Sequence, residues 1–440
     1  GLLLFYDEKA YAGVASDGKT FTIYRNGEKT ETMPSDYHKH FHLRLLNRAN
    51  RVTLSASKDG KSWEELATDI DVSGLHHNNY GGFYALRPAL LSAGKGRTTF
   101  RNFTYRNATP QEKDMAAYLM VFHQDEDHCL HAAISRDGYT FTALNDGKPI
   151  IAGDTIADQK GIRDPHIYRG PDGGFYLAMT DLHIYAQRDG YRDTEWERDG
   201  KAYGWGNNRG LVLMKSFDLI HWTRTNIRFD QISKEFAQIG CAWAPETVYA
   251  PVTGRMMIYF TMRFGTEQNR LYYVYVNQDF NRIESIPQIL FEYPSGASAI
   301  DGDITPIWNE ERQKMEYHLF YVAHESGSGI KQAVSDRIDG GYRFDPRWID
   351  FEPVACEAPN VWKRIGEDKW VLMYDIFGIN PHNFGFVETS DFVHFKNLGR
   401  FNEGVMKTTN FRSPKHGAVI HLTQEEADRL ENYWNGKKQK

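Results

Sequence analysis

Short apolar runs recur along this chain, and a polar turn and then an aromatic residue follow each of them. The runs are "YLMVFH" from 118, "FYLAMTD" from 175, "MMIYFTM" from 256, "YHLFYVA" from 317 and "WVLMYD" from 370. The turns begin with "SRDGYTFT" at 135, "SFDLIHWT" at 216, "NQDFNRI" at 277, "SDRIDGGYRF" at 335 and "SDFVHF" at 390. Each run is shorter than an ordinary helix, rich in β-branched and aromatic residues and bounded by turn formers, so it predicts a buried strand. Five imperfect repeats of several strands each, with almost no helical periodicity, predict a five-bladed β-propeller over 118–440. A polar loop, "HIYAQRDGYRDTEWERDGKAYGWGNN" from 183, lengthens the first repeat.

Residues 1–106 have a different texture. Runs such as "LLLFYDEKAYAGVASDGKTFTIYRNGEK", "FHLRLLNRANRVTLSASKDGKSWEEL" and "RTTFRNFTYR" alternate β-type segments with Gly, Asn and Asp turns. That spacing predicts a β-sandwich. The polar stretch 107–117, "NATPQEKDMAA", reads as a linker. The expected fold is therefore all-β, a sandwich followed by a five-bladed propeller.

The 440 residues exceed one ordinary core, in line with two domains. A net charge of -6, with no Lys/Arg cluster interleaved with aromatics, argues against a nucleic-acid partner. No apolar stretch approaches the roughly 20 residues of a membrane helix. Aromatic residues make up 14% of the chain, which suits either sugar stacking or aromatic-rich sheet packing. Cys129, Cys241 and Cys356 lie far apart and form no CxxC, so at least one thiol is unpaired and "HCLH" at 128 reads as structural.

Carboxylates precede the strand cores at similar distances. They are Asp164 in "RDPHI", Glu246 in "CAWAPETVY", Asp301 in "AIDGDITPI" and Glu357 in "CEAPNVW". Taken singly, each reads as a turn cap that accepts backbone N–H groups. A propeller brings blade-end loops together around one axis, so a set at corresponding positions becomes a candidate site. Glycoside hydrolysis needs such a set: one carboxylate ionised to activate water, another protonated to supply the leaving oxygen.

From about 115 to 422 the chain resembles glycoside hydrolase family 43, five-bladed propellers that act on arabinose- and xylose-containing plant polysaccharides. The motifs are "GIRDPHI", "WAPE", "IDGDI", "EAPNVWK" with "KWVLMYD", and the closing "PKHGAVI". The resemblance implies Asp164 as general base, Glu357 as general acid and Asp301 as the carboxylate that raises the acid's pKa. Asp303 stays open for that third role, because alternation puts both acids of "IDGDI" on one strand face. Two departures from the family's pattern stand out: Ala358 where Gly is usual, and Glu246 where Asp is. The Arg-Asp-Pro and Cys356-Glu357 steps are also similar to family 32, whose Asn-Asp-Pro-Asn-Gly signature is absent here.

By the same resemblance Arg163, Trp243, Glu246 and Asp303 would meet substrate, and His416 would lie near a cation in the axial channel. No cofactor is required for the chemistry; a structural Ca²⁺ would take oxygen ligands and water beside His416. The expected activity is exo-acting, inverting removal of pentose, foremost α-L-arabinofuranosyl, from an arabinose- or xylose-containing saccharide. A β-xylosidase using the same residues and a non-catalytic sugar-binding propeller are the alternatives. A polysaccharide substrate implies an exported protein, periplasmic or extracellular. Residues 1–106 resemble the later part of the sandwich that accompanies some family members.

Overall fold

The computed structural model describes all residues except 38–39, 49, 106–108, 192–197, 326 and 437–440, and leaves out the side chain of 435. Parts of the expected linker and of the long loop from 183 therefore lie outside the described residues. Two compact units are formed, Gly1–Thr109 and Pro110–Lys440.

The first unit contains β1 (Leu2–Asp7), β2 (Ala10–Ser16), β3 (Thr20–Arg25), β4 (Glu28–Pro34), β5 (His42–Arg48), β6 (Arg51–Ser57), β7 (Glu64–Asp71) and β8 (Arg87–Leu90). One sheet runs β4-β3-β2-β1-β8 and the other β5-β6-β7. Alternate residues turn inward, and Tyr6, Val14, Phe21 and Ile23 of the first sheet share one core with Val52, Leu54 and Ile70 of the second. The run 97–105, expected as a strand, is not one: Phe103 and Tyr105 are exposed and the segment pairs with no described strand. Alternation supplies strand propensity, but a strand exists only with a hydrogen-bonded neighbour, and β8 already holds the edge beside β1.

The second unit begins with β9 (Met115–His123), which starts inside the stretch expected as linker, then β10 (His131–Ser135) and β11 (Thr140–Ala143). Next come β12 (Ile162–Arg169), β13 (Phe175–Asp181), β14 (Gly210–Ser216) and β15 (Thr223–Arg228). A third group is β16 (Ile239–Ala250), β17 (Arg255–Phe264), β18 (Arg270–Val276) and β19 (Gln288–Phe291). The fourth is β20 (Ala299–Asn309), β21 (Lys314–Ala323), β22 (Gly329–Ser335) and β23 (Arg343–Asp345). The fifth is β24 (Glu357–Lys363), β25 (Trp370–Ile376), β26 (Asn383–Thr389) and β27 (Lys396–Arg400), after which β28 (Lys407–Thr408) and β29 (Lys415–Thr423) return to the first group.

Each later group is a four-stranded antiparallel meander, and the first sheet runs β28-β11-β10-β9-β29. The innermost strands touch in a ring, β12 to β16 to β20 to β24 to β29 and back to β12. The C-terminal strand therefore closes the propeller by supplying the inner strand of the blade that begins with β9. Five apolar cores occupy the five blade interfaces. With neighbours on both faces, the second strand of a blade needs a continuous apolar run, and every residue of β13 is buried.

Three of the five recurrent turns share a mechanism. Asp137, Asp218 and Asp391 each accept two backbone N–H groups, from residues two and three positions on. That closes the hairpin locally and repeats the signal in the sequence. Besides helices of a single turn, a longer helix that was not expected, Gln424–Gly436, buries Ala427 and Leu430 against the first blade interface. Among the described residues no helix is long and apolar enough to cross a membrane. All three cysteines are free.

Candidate active site

The five inner strands share a four-residue motif whose third residue is Pro or Gly: Arg163-Asp164-Pro165-His166, Trp243-Ala244-Pro245-Glu246, Ile300-Asp301-Gly302-Asp303, Glu357-Ala358-Pro359-Asn360 and Lys415-His416-Gly417-Ala418. The strand register slips at every one of them. The second residue has positive φ in all five, between 39° at His416 and 55° at Ala358. Proline cannot donate to the ladder, so the pairing must skip there, and the resulting bulge turns the strand end toward the axis. At Gly417 a Cβ would sit 3.0 Å from both Met373 and Phe384, so a side chain there would have to push its neighbours back.

This register corrects the expectation of equivalent acids. Asp164 and Asp301 share the second position of the motif, Glu246 and Asp303 the fourth, and Glu357 the first. Spacing to the next apolar run missed this because the loops between differ in length.

Each bulge is latched to the preceding blade. The N–H of the second residue donates to a side chain there: Asp164 to His123 Nδ1 (3.1 Å), Ala244 to Thr180 Oγ1 (2.8 Å), Asp301 to Thr261 Oγ1 (3.0 Å) and His416 to Asp375 Oδ2 (3.2 Å). In the fourth blade the corresponding residue, paired with Ile300, is Val322, which offers no acceptor. There Ala358 N donates to Asp301 Oδ2 instead, at 3.2 Å. The Asp301 carboxylate is thereby fixed beside the strand end that carries Glu357.

Asp164, Asp301 and Glu357 gather around His416. Its Nδ1 lies 3.4 Å from Asp164 Oδ1 and 3.9 Å from Asp301 Oδ2. Thr180 donates to Asp164 Oδ2 at 2.7 Å, which orients the other oxygen. Burial alone would raise the Asp164 carboxyl, but His416, Arg163 and His123 and the Thr180 hydroxyl outweigh it and hold the group below the ordinary carboxylate range. Asp301 goes the other way: burial, then the charges of Glu357 and Asp164, push it well above its usual value. Two neighbouring carboxyls are thus driven apart, one ionised and one retaining a proton, as acid–base chemistry requires.

Two cations flank this set. Lys415, 5% exposed, donates to Glu357 Oε1 at 3.0 Å and lies 3.3 Å from Asp375 Oδ2. Burial raises Asp375 to about 7 against the opposing pull of Lys415. Arg163 is hydrogen-bonded to Asp125 and senses the charges of Asp164 and Glu357. Neither Asp125, Asp375 nor Lys415 was singled out from the sequence. Lys415 stands inside "PKHGAVI" beside His416 and Asp375 ends "KWVLMYD", whereas Asp125 has no local signal.

Glu246 and Asp303, expected to meet substrate, lie one step farther along the strands with protein partners. His166 Nδ1 accepts from Thr247 N, Asn360 Oδ1 from Val419 N, and Asp303 Oδ2 from Val361 N. Between them Ile304 N donates to the Tyr259 hydroxyl, which donates to Glu246 Oε2 at 2.7 Å. These bonds join four of the five neighbouring blade pairs; Ala418, at the same position in the fifth, has no polar side chain. Burial pushes Asp303 up to about 7, and burial with the Asp303 charge pushes Glu246 well above its usual value.

A raised native pKa means that the folded state holds the proton more tightly, so the stability from Asp303 is full near pH 4 and declines as pH rises toward 7. Asp303→Asn keeps an acceptor for Val361 and removes this titration. Its stability relative to wild type, read by denaturant unfolding, should rise by roughly 2 kcal/mol between pH 5 and pH 7. A pH-independent difference would mean that the buried proton is not on Asp303.

Trp243 is half-buried on the opposite side of the ring. Its Nε1 donates to Gly206 O at 2.9 Å, Arg263 lies over its ring at 4.7 Å, and the exposed Trp205 meets it edge-on with centroids 6.1 Å apart. No group of three or more His, Cys, Asp or Glu side chains is gathered as metal ligands among the described residues. His416 is one imidazole between two carboxylates with other bonds, which does not fit the six to eight oxygen ligands of Ca²⁺. No step is therefore routed through a cation.

A closed five-bladed ring that gathers carboxyls from several inner strands is an arrangement glycoside hydrolysis can use. Residues 113–428 match the family model described as "probable glycosyl hydrolase domain", a relative of glycoside hydrolase family 43. The chain belongs to that family. An α-L-arabinofuranosidase of Bifidobacterium longum subsp. longum is 28% identical over 193 residues, covering 41% of this chain and 16% of that protein's length. Among solved structures, an endo-arabinase from Bacteroides thetaiotaomicron is 14% identical with a TM-score of 0.44, covering 62% of this chain and 88% of the other. An exo-1,5-α-L-arabinanase from a bovine ruminal metagenomic library is 13% identical with a TM-score of 0.43, covering 67% and 99%.

Proposed function

We propose that the protein is an exo-acting, inverting glycoside hydrolase that removes pentose, foremost α-L-arabinofuranosyl, from arabinose- or xylose-containing saccharides. The observation that carries the reading is the division of labour around His416: Asp164 held ionised, and Asp301 retaining a proton beside the strand end of Glu357. In this reading Asp164 deprotonates a water on one face of the sugar. Glu357 protonates the glycosidic oxygen on the other, and an inverting pair leaves roughly 6.5–9.5 Å between its carboxyls for that water.

Lys415 holds the Glu357 side chain in place, and Asp375 is the second carboxylate within reach of that lysine. Asp301 retains a proton close by. The aromatic wall of Trp205 and Trp243 on one side supports binding at a chain end. A saccharide of this kind is met outside the cell, which makes export part of the proposal.

Hydrolysis of paired chromogenic α-L-arabinofuranoside and β-D-xyloside tests the reading. Turnover of the arabinofuranoside is expected. Preference for the xyloside would make the enzyme a β-xylosidase with the same residues. Sugar binding with no turnover of either would contradict the catalytic reading in favour of a binding propeller.

A further inference from the structure

Asp125 lies in the connection from β9 to β10, in the blade that the C-terminal strand closes. Its Oδ1 accepts from Arg163 Nη1, and His123 Nε2 stands 3.6 Å away on the same oxygen. The orientation of His123 is set by the base itself. Asp164 N donates to His123 Nδ1, so the neutral ring carries its hydrogen on Nε2, the nitrogen facing Asp125. That buried Nε2 has no hydrogen-bond partner among the described residues, and the side chain is 0% exposed.

The other oxygen of Asp125 is differently placed. Oδ2 makes no hydrogen bond to any described residue, and the side chain is 21% exposed. It faces His382 Nε2 across 3.7 Å, too far for a direct bond, and His382 Nδ1 is also without a partner. His382 in turn senses Lys415, Asp125, Glu357 and Arg163, so this gap opens on the side of the ring where Glu357 stands. Although burial opposes it, the His123 contact and the charges of Arg163, His123 and Lys415 hold the Asp125 carboxyl well below its usual range. The result is an ionised acceptor held by Arg163, with one partly exposed oxygen free of described protein partners, opposite an imidazole whose buried Nδ1 has none, next to the proposed acid.

We infer that Asp125, backed by Arg163 and His123 and faced by His382, accepts a hydroxyl hydrogen of the sugar that is cleaved and thereby sets which pentose the site holds. The inference rests on the hydrolase reading above and deepens it. A sugar hydroxyl is both donor and acceptor, so it satisfies Asp125 Oδ2 and the His382 ring together. Trp243, across the ring, offers only an apolar face and a nitrogen already bonded to Gly206.

The test pairs variants with substrates. Wild type, Asp125→Asn and His382→Ala are assayed on an aryl α-L-arabinofuranoside and on its 2-deoxy, 3-deoxy and 5-deoxy analogues, with circular dichroism to establish folding. A hydrogen bond to a charged group predicts that kcat/KM of the wild type falls about 10- to 100-fold on one deoxy analogue, and that Asp125→Asn loses a similar factor on the parent. On that one analogue the variant and the wild type should differ by less than about 3-fold, because the contact is already missing. His382→Ala, which leaves the Arg163 pair intact, should lose selectivity against the same analogue and keeps the test open if Asp125→Asn does not fold. Equal slowing on all four substrates would overturn the inference and make Asp125 a support for Arg163. Failure of the wild type to turn over any glycoside would instead overturn the hydrolase reading, and this inference with it.

Discussion

On the proposed roles, Asp164→Ala is expected to slow hydrolysis of activated and unactivated pentosides alike, by about 10³- to 10⁴-fold, while Glu357→Gln should spare much of the rate on the activated one. The asymmetry follows from the roles. A nitrophenolate leaves without help from a proton, so loss of the acid is felt mainly on substrates with a poor leaving group, such as an oligosaccharide. Loss of the base is felt on both, because water attacks in either case. The comparison is made with kcat/KM for a nitrophenyl glycoside against an unsubstituted oligosaccharide. If Asp164→Ala kept the activated substrate and Glu357→Gln lost it, the roles would be reversed. If both variants kept full activity, Asp164 would only shape its turn.

Lys415→Met should destabilise the protein by about 1–2 kcal/mol more at pH 8 than at pH 5, because it strips a buried carboxyl of the cation that lets it ionise. Asp375 is 0% exposed and titrates near pH 7 even with Lys415 at 3.3 Å. Without the lysine its native pKa rises further. At pH 5 the carboxyl is then protonated and needs no partner, so the destabilisation shrinks; as pH rises through the native pKa it grows to its full value. Denaturant unfolding of wild type and variant at pH 5 and pH 8 measures it. An equal loss at both would mean that Lys415 contributes packing and not charge. Activity should fall as well, since Glu357 loses the donor that fixes its side chain.

The fold was largely legible because a propeller writes its plan locally. The five apolar runs became β9, β13, β17, β21 and β25, the second antiparallel strand of each blade, and the Asp turns close their own hairpins. The run 97–105 has the same alternation and no neighbour, and pairing is a property of the partner as much as of the segment. Within the site, Asp164, Asp301, Glu357 and His416 stood in motifs that could be read. The bulge register that separates Asp301 from Asp303 could be recovered from the repeated Pro or Gly at the third motif position, although distance to the next strand obscures it. Asp125 could not be recovered, because the Arg163 that holds it comes from the next blade, and Asp375 ended a motif that gave no sign of Lys415 meeting it from another blade.

The hydrolase account is tested most directly by following the anomer released from an α-L-arabinofuranoside by proton NMR in the first minutes of reaction. The account predicts that the first arabinose to appear carries the β configuration and then mutarotates. A first-formed α anomer would contradict it, because retention needs carboxyls about 5 Å apart and a covalent intermediate.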